Sequence, residues 1–250
     1  MKRGRRPEPT LPGNPRRLTI NQHVHSRWCI ERFADAKGRV AVLRRGEASF
    51  TTKPHNAIFC AQRAWSQKLE VSLFRKTEDA FHAVVRAVLS GAPVPDHDAV
   101  TAYLAIWQQR SRFAKEPPKD ITLNGVNSSD LDKEQEETLE SRGYGFARGN
   151  VVPGRIAAHV TAVRDYHMTM HALAGTQWGV VVASGNSFFL CPDDPQGELY
   201  VPISPRFALL AGYKDQELPA STVFKFNREA ERRAIYLFGH PEDISAFAST

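Results

Sequence analysis

Two histidines, a glutamate and a pair of aspartates are the side chains of this sequence best suited to chemistry. His23 and His25 stand two apart in Asn21-Gln22-His23-Val24-His25. An extended backbone puts both on one face, whereas a helix turns them apart. Histidine titrates near neutral pH, so His23 is suited to general acid–base work. The plainer reading is that it braces the short helix that follows. Asp193 and Asp194 lie between Pro192 and Pro195, directly after the apolar run Phe188-Phe189-Leu190-Cys191. With Glu70, from the first long helix, they make an oxygen-rich set of the kind that holds Mg²⁺ or Mn²⁺. A catalytic set of His23, Glu70 and Asp193 over a metal set of Glu70, Asp193 and Asp194 is the equipment of a metal-assisted phosphodiester hydrolase. The competing reading makes Asp193-Asp194 a turn whose carboxylates accept backbone N–H groups. Glu70, set between apolar stripes, must then be paired with Arg27, Arg32 or Arg63, or have a raised pKa. The whole arrangement requires His23 to approach Asp193 across most of the chain.

Other signatures are weaker. His159, His167 and His171 share a helical face, and His167-x-x-x-His171 is a permitted zinc-ligand spacing. The intervening Met168-Thr169-Met170 lacks the glutamate of a metallopeptidase helix, so packing is the favoured reading. The glycines Gly143, Gly145 and Gly149 do not form a nucleotide-binding fingerprint. There is no Gly-x-Ser-x-Gly elbow, and aromatics do not interleave with basic residues as on a single-strand stacking platform.

The charge is unevenly spread. The chain has a formal net charge of +6. Residues 1–17 hold Lys2, Arg3, Arg5, Arg6, Arg16 and Arg17 against Glu8 alone, which is six minus one, or +5. Basicity is therefore a property of the N-terminal segment. Those six side chains are the candidate nucleic-acid contacts, because Lys and Arg neutralise phosphates. A disordered, solubilising tail over residues 1–18 is the bland alternative. A protein partner is the other expectation for a binding protein of this kind.

Residues 1–17 lack the apolar run of a secretory leader. Nothing approaches about eighteen uninterrupted apolar residues, so no membrane span is expected. Cys29, Cys60 and Cys191 are odd in number and widely spaced, which fits neither a disulfide framework nor a zinc knuckle. They read as small buried hydrophobes in a reducing compartment, and the expected location is cytoplasmic.

The elements that must position these groups follow from periodicity. Residues 22–34 predict a short helix with Trp28, Cys29 and Phe33 inward, and Val40–Arg44 a strand. Residues 60–90 predict a long helix, with Leu69, Leu73, Phe74, Phe81, Val84, Val85 and Val88 on a broad apolar face. Asp96 caps a second helix that runs to about Phe113. Residues 118–153 read as a polar, flexible insertion, an ordinary surface loop rather than a lid. Residues 154–174 predict a third helix. Extended segments follow: 177–183 in a hairpin with 187–191 about Gly185-Asn186, then 198–203, 207–210 and 222–226. A short helix over 228–235 comes last. The order predicts an α+β fold: a short N-terminal helix and strand, a helical middle and an antiparallel β-rich C-terminal part. Residues 19–250 form a single domain on this reading.

Several of these motifs resemble the bacterial domain-of-unknown-function family numbered 4238 (DUF4238). They are Asn21-Gln22-His23 leading to Trp28 and Phe33, Leu69-Glu70, and Trp178 before the extended segments. Pro192-Asp193-Asp194-Pro195, Val201-Pro-Ile-Ser-Pro205, Asn227, and Tyr236 with Gly239 complete the set. The chain departs from the family pattern at Ser26, where the family has proline, and at Asp194, where it has asparagine. The resemblance brings no activity with it. Two functional expectations stand: an intracellular metal-assisted nuclease, as a toxin or defence effector, and a non-enzymatic regulator that binds nucleic acid or protein.

Overall fold

A computed structural model of the protein describes residues 8–125, 130–195 and 199–249. Its elements in order are β1 (Asn21–His23), α1 (Arg27–Glu31), β2 (Val40–Arg44), β3 (Phe50–Thr52) and β4 (Cys60–Gln62). A continuous helical stretch follows, made of α2 (Gln67–Leu69), a π-helical turn (Glu70–Phe74) and α3 (Arg75–Leu89). Then come α4 (His97–Lys115), β5 (Ile121–Thr122), α5 (Lys133–Ser141), β6 (Val151–Val152) and α6 (Gly154–Ala172). The C-terminal part holds β7 (Trp178–Ala183), β8 (Cys191–Pro192), β9 (Tyr200–Pro202), β10 (Phe207–Ala211), β11 (Gln216–Leu218), α7 (Ala220–Arg233), β12 (Tyr236–Gly239) and α8 (Pro241–Ala248). The architecture is α+β, with a helical middle and a strand-rich, mostly antiparallel C-terminal part.

Two four-stranded sheets organise it. One has the order β11-β7-β10-β9, with β11 parallel to β7 and the other pairs antiparallel. The other has the order β3-β2-β12-β8 and is antiparallel throughout. Because β12 pairs with β2, the end of the chain closes against its beginning. A two-stranded β1-β4 ribbon holds His23 opposite Cys60. One large core unites α1, β2, α3, α4, α6 and both sheets.

Helix α4 is the post around which this core is built. Asp96 caps it, its side chain accepting from Ala99 N at 2.9 Å. Thirteen of its nineteen residues are buried, far more than one apolar stripe requires. A helix buried nearly all round must find partners for its polar residues inside the protein, and those partners define the polar sites described below.

Several expected elements differ. Residues 22–34 divide into a strand and a five-residue helix, because the backbone of 21–23 pairs with β4. The long helix starts at Gln67, where Ser66 caps it. Residues 187–191 do not pair with β7, which pairs with β10 and β11 instead. Their backbone is satisfied elsewhere: Asn227 accepts from Leu190 N and donates to Phe188 O, and Phe189 N donates to Pro205 O. Residues 222–226 are helical, with Val223, Asn227 and Ala230 recurring at helical spacing on the inner side of α7. Within the segment expected to be a flexible insertion, 133–141 form a helix with a complete Asp132/Gln135 capping box, and Glu136, Glu137 and Glu140 are buried. Residues 8–18, expected in a disordered tail, lie along this helix and α6, and Leu18 is buried.

Gly179 tests the packing of β7. A Cβ there would run into the Tyr213 carbonyl, which is backbone and cannot swing aside. Gly179→Ala is expected to destabilise the protein by about 1–3 kcal/mol. A lowered urea midpoint at constant m-value is the readout; an unchanged midpoint would mean that the 213–214 backbone yields freely.

Candidate functional site

The chain brings His23 and Glu70 into one neighbourhood. His23 lies on β1, and its Nε2 is 3.2 Å from Pro54 O; a carbonyl only accepts, so this nitrogen carries the proton. Glu70 opens the π-helical turn, a distortion often found at functional positions. Its Oε2 accepts from Trp65 Nε1 at 2.7 Å and lies 4.0 Å from Arg110 Nη2. Arg110, from α4, also donates to Glu78 at 2.6 Å and stacks over Phe74 at 4.6 Å. Burial lowers the His23 pKa, the Arg110 charge adds to this, and the Pro54 bond, Glu78 and Glu70 oppose it. His23 is therefore a neutral imidazole at physiological pH. The glutamate partner is Arg110, not Arg27, Arg32 or Arg63.

His25 belongs to the core. Tyr103 Oη accepts from Ser26 N at 3.1 Å, which leaves the phenol proton for His25 Nδ1 at 3.0 Å. That bond fixes the tautomer with the proton on Nε2, the nitrogen 3.9 Å from Cys191 Sγ. The ring packs against Trp107 at 4.5 Å. Burial, reinforced by the Arg110, His82 and His23 charges, holds its pKa at about 3. Ser26 Oγ in turn meets His82 Nε2 at 2.8 Å.

Asp193 and Asp194 occupy a different place. Asp193 Oδ1 accepts from Ile235 N at 2.8 Å, its N–H donates to Tyr236 O, and its carbonyl accepts from Ser111 Oγ at 2.9 Å. Lys115 Nζ lies 2.5 Å from Asp194 Oδ2 and 3.8 Å from Asp193 Oδ2. Burial raises the Asp193 pKa, against the pull of Lys115 and the backbone donors. The groups that chiefly act on His23 and those that chiefly act on Asp193 have no member in common. The two sets leave α4 at Arg110 and at Ser111/Lys115, and adjacent helical residues point about 100° apart. The proposed Glu70, Asp193 and Asp194 metal set is accordingly not assembled: among the described residues no three His, Cys, Asp or Glu side chains converge on a point that could hold a metal. The aspartates form the turn, with Lys115 as their cation. His167 and His171 are exposed on α6, while His159 Nδ1 is buried without a hydrogen-bond partner.

A polar cluster not anticipated from the sequence lies where residues 8–18 cross α5 and α6. Glu8 Oε1 is 2.6 Å from Lys133 Nζ and 2.5 Å from Arg148 Nη2, and Glu8 Oε2 is 2.6 Å from Arg155 Nη1. Behind it, Glu140 Oε2 accepts from Arg63 Nη2 at 2.7 Å and from Arg155 Nε at 3.1 Å. Arg148 also pairs with Glu136. Arg63 holds φ at +44°, a left-handed conformation that costs a non-glycine residue about 1–2 kcal/mol. Burial raises the Glu8 pKa, but bonds from Lys133 and Arg148 and the Arg155 charge outweigh it and hold the carboxyl at about 2. These groups border an open cleft of about 660 Å³, lined by Glu8, Arg63, Asp120, Arg148 and Arg155 together with the N-terminus of α6. Arg63 Nε and Arg155 Nη2 are buried without a hydrogen-bond partner.

No protein family, curated protein or solved structure matches the chain. The likeness to the DUF4238 family thus rests on the motifs that suggested it. Of the six basic residues expected to meet nucleic acid, Lys2, Arg3, Arg5 and Arg6 lie outside the described residues. Arg16 pairs with Glu134 at 3.1 Å on the surface, and Arg17 has a positive φ of 51°. Among the described residues no helix is long and apolar enough to cross a membrane.

The state of His25 gives a pH prediction. Its folded pKa lies below the ordinary 6.5, so on acidification the unfolded chain takes up the proton first. The stabilisation is complete above about pH 6.5 and is lost as pH falls toward 3, by at most about 1.4 kcal/mol per unit. His23 and His82 act in the same direction. In His25→Gln, urea unfolding between pH 6 and 4 is expected to show a shallower loss of stability than wild type; equal slopes would contradict a neutral buried His25.

Proposed function

We propose that this chain is a non-enzymatic nucleic-acid-binding protein that takes backbone phosphates into the arginine-lined cleft, with further contacts along its basic N-terminal segment. One observation carries the reading. Arg63, Arg148 and Arg155 line one open cleft; Arg63 Nε and Arg155 Nη2 are unpartnered but closed off from solvent, while Arg148 Nη2 and Arg155 Nη1 already hold an anionic group there, the Glu8 carboxylate. A buried guanidinium is costly unless its donors are used, and phosphate oxygens accept from its fork in the geometry it favours. The first turn of α6 borders the same cleft, its Gly154 N–H already donating to Asp120 Oδ1 at 2.8 Å. Fluorescence anisotropy with single- and double-stranded DNA and RNA tests this. Binding is expected to weaken with salt, and Arg155→Met, once circular dichroism shows it folded, is expected to weaken it about tenfold, as does loss of one charge-assisted contact. For a single strand the log–log salt slope should become shallower by about 0.7. Binding indifferent to Arg155 and to salt would exclude the cleft.

A second reading, a nuclease of the toxin or defence type, is motivated by Glu70 at the π-helical turn lying within electrostatic reach of His23. Asp193 and Asp194 have no part in it, because Lys115 and the 235–236 backbone hold them. It predicts cleavage of DNA or RNA, with Mg²⁺ or Mn²⁺ supplied, that is abolished in a folded His23→Ala/Glu70→Ala variant. Cleavage that survives in this variant would remove both residues from any active site.

A further inference from the structure

The cleft already contains an anion that belongs to the chain itself. The Glu8 carboxylate receives Lys133 and Arg148 on one oxygen and Arg155 on the other. Three cations from three places around one anionic group make a receptor for a single phosphate or carboxylate. Apart from Asp120, which accepts from Gly154 N at 2.8 Å, the acids of this region fall into two kinds. Glu136, Glu137 and Glu140 are fixed in α5, with side chains at most 4% exposed. Glu8 is 32% exposed and comes from a segment that belongs to no helix or strand.

The way that segment is attached supports this. Beyond residue 14 it is anchored: Leu18 is buried, Asn14 bonds both the N–H and the carbonyl of Leu18, and Thr19 N donates to Gln67. Ahead of residue 13 the described ties are few. They are the Glu8 carboxylate, the Glu8 carbonyl on Arg63 Nη1 at 3.2 Å, and Leu11 N on Glu137 Oε1 at 2.8 Å. Between the two parts lie Gly13 and Asn14, both at positive φ, in a turn closed by Asn14 N donating to Leu11 O at 2.9 Å, the place where the outer residues would pivot. Removing Glu8 takes one negative charge from the cleft wall and frees donors on Lys133, Arg148 and Arg155 together.

We infer that Glu8 is a built-in competitor for the phosphate of an external ligand, and that residues 8–12 form a strap that must lift before the Lys133/Arg148/Arg155 receptor can be used. This rests on the phosphate-binding reading of the cleft and adds its regulation. Two measurements on the full-length protein test it, with wild type, Glu8→Gln and Lys133→Gln compared after circular dichroism shows that each is folded. Titration with inorganic phosphate is expected to show at least tenfold tighter binding to Glu8→Gln than to wild type, and weaker binding to Lys133→Gln than to either. Hydrogen exchange at the amides of residues 8–12 is expected to quicken in Glu8→Gln, and in wild type as phosphate saturates. Equal phosphate affinity for wild type and Glu8→Gln overturns the strap. So does phosphate that slows exchange there, or phosphate that binds none of the proteins. A labelled single-stranded oligonucleotide separates this from the parent reading. If it binds through Arg155 with no gain in Glu8→Gln, the strap is wrong and the nucleic-acid reading stands. If phosphate lifts the strap but no oligonucleotide binds, the strap stands and the ligand is another phosphorylated molecule.

Discussion

The structure turns on one carboxylate oxygen that two buried arginines share. Glu140 Oε2 accepts from Arg63 and Arg155, and the Arg63 and Glu140 side chains are only 2% exposed. Desolvating each ion costs several kcal/mol, and only mutual attraction and hydrogen bonds offset it; removing one partner of such a set costs about 3–5 kcal/mol. Buried ion pairs contribute little net stability, but they fix position. Helix α5 shows why that matters. Its sequence Lys-Glu-Gln-Glu-Glu-Thr-Leu-Glu-Ser has one large apolar residue, Leu139, too few to dock a helix by burial. Its seat is set by charge, from Arg63 after β4 and Arg155 on α6. The N-terminal segment is then laid against a surface that the same ions have built.

Helix α4 plays the corresponding role in the other half of the molecule. Being buried almost all round, it delivers Tyr103 to His25, Arg110 to Glu70 and Glu78, and Ser111 and Lys115 to the 193–194 turn. These pairings meet most of the cost of burying polar atoms, although Trp107 Nε1 and Arg110 Nε on the same helix stay without a partner. The same economy separates the candidate chemistry. Glu70 and Asp193 use neighbouring residues of one helix that leave it in different directions, Arg110 for the first and Ser111 and Lys115 for the second. Each carboxylate has an internal cation, and with it a sufficient structural reason to be present.

The fold class was legible because periodicity reports burial, and burial is what an apolar face records. The helices over 75–89 and 97–115 carry clear signals, the apolar spacing of Phe81, Val84, Val85 and Val88 in the first and the Asp96 cap in the second. Strand partners were not legible. Residues 187–191 look like the second arm of a hairpin, yet an Asn227 side chain distant in sequence satisfies their backbone. Residues 222–226 show β-branched and aromatic types, but Val223, Asn227 and Ala230 carry the helical period that won. The candidate site fared similarly. His23 and Glu70 do share a neighbourhood, whereas the approach of His23 to Asp193 was a tertiary claim with no local signal. The Glu8 cluster was hidden because nothing local in Glu136, Glu137 and Glu140 distinguishes carboxylates buried against arginines from a solvated charged face.

Charge that is paired inside a fold and charge that is offered to a ligand need not be different charge. Four cations gather in this cluster: Arg63, Arg148 and Arg155, which line the cleft, and Lys133, which reaches it through Glu8. Glu140 and Glu136 neutralise from the protein side and stay, because they sit in α5 out of water. Glu8 neutralises from the cleft side, through a single side chain at the outer end of a hinged segment. An external phosphate would carry the same sign to the same donors, and it would not have to dismantle the Arg63–Glu140–Arg155 set that seats α5. Replacing an internal carboxylate therefore leaves the fold intact while opening the cleft, a separation that could not exist if the ligand had to compete with Glu140. The buried ions hold the site in shape, and the half-exposed one decides whether it is open.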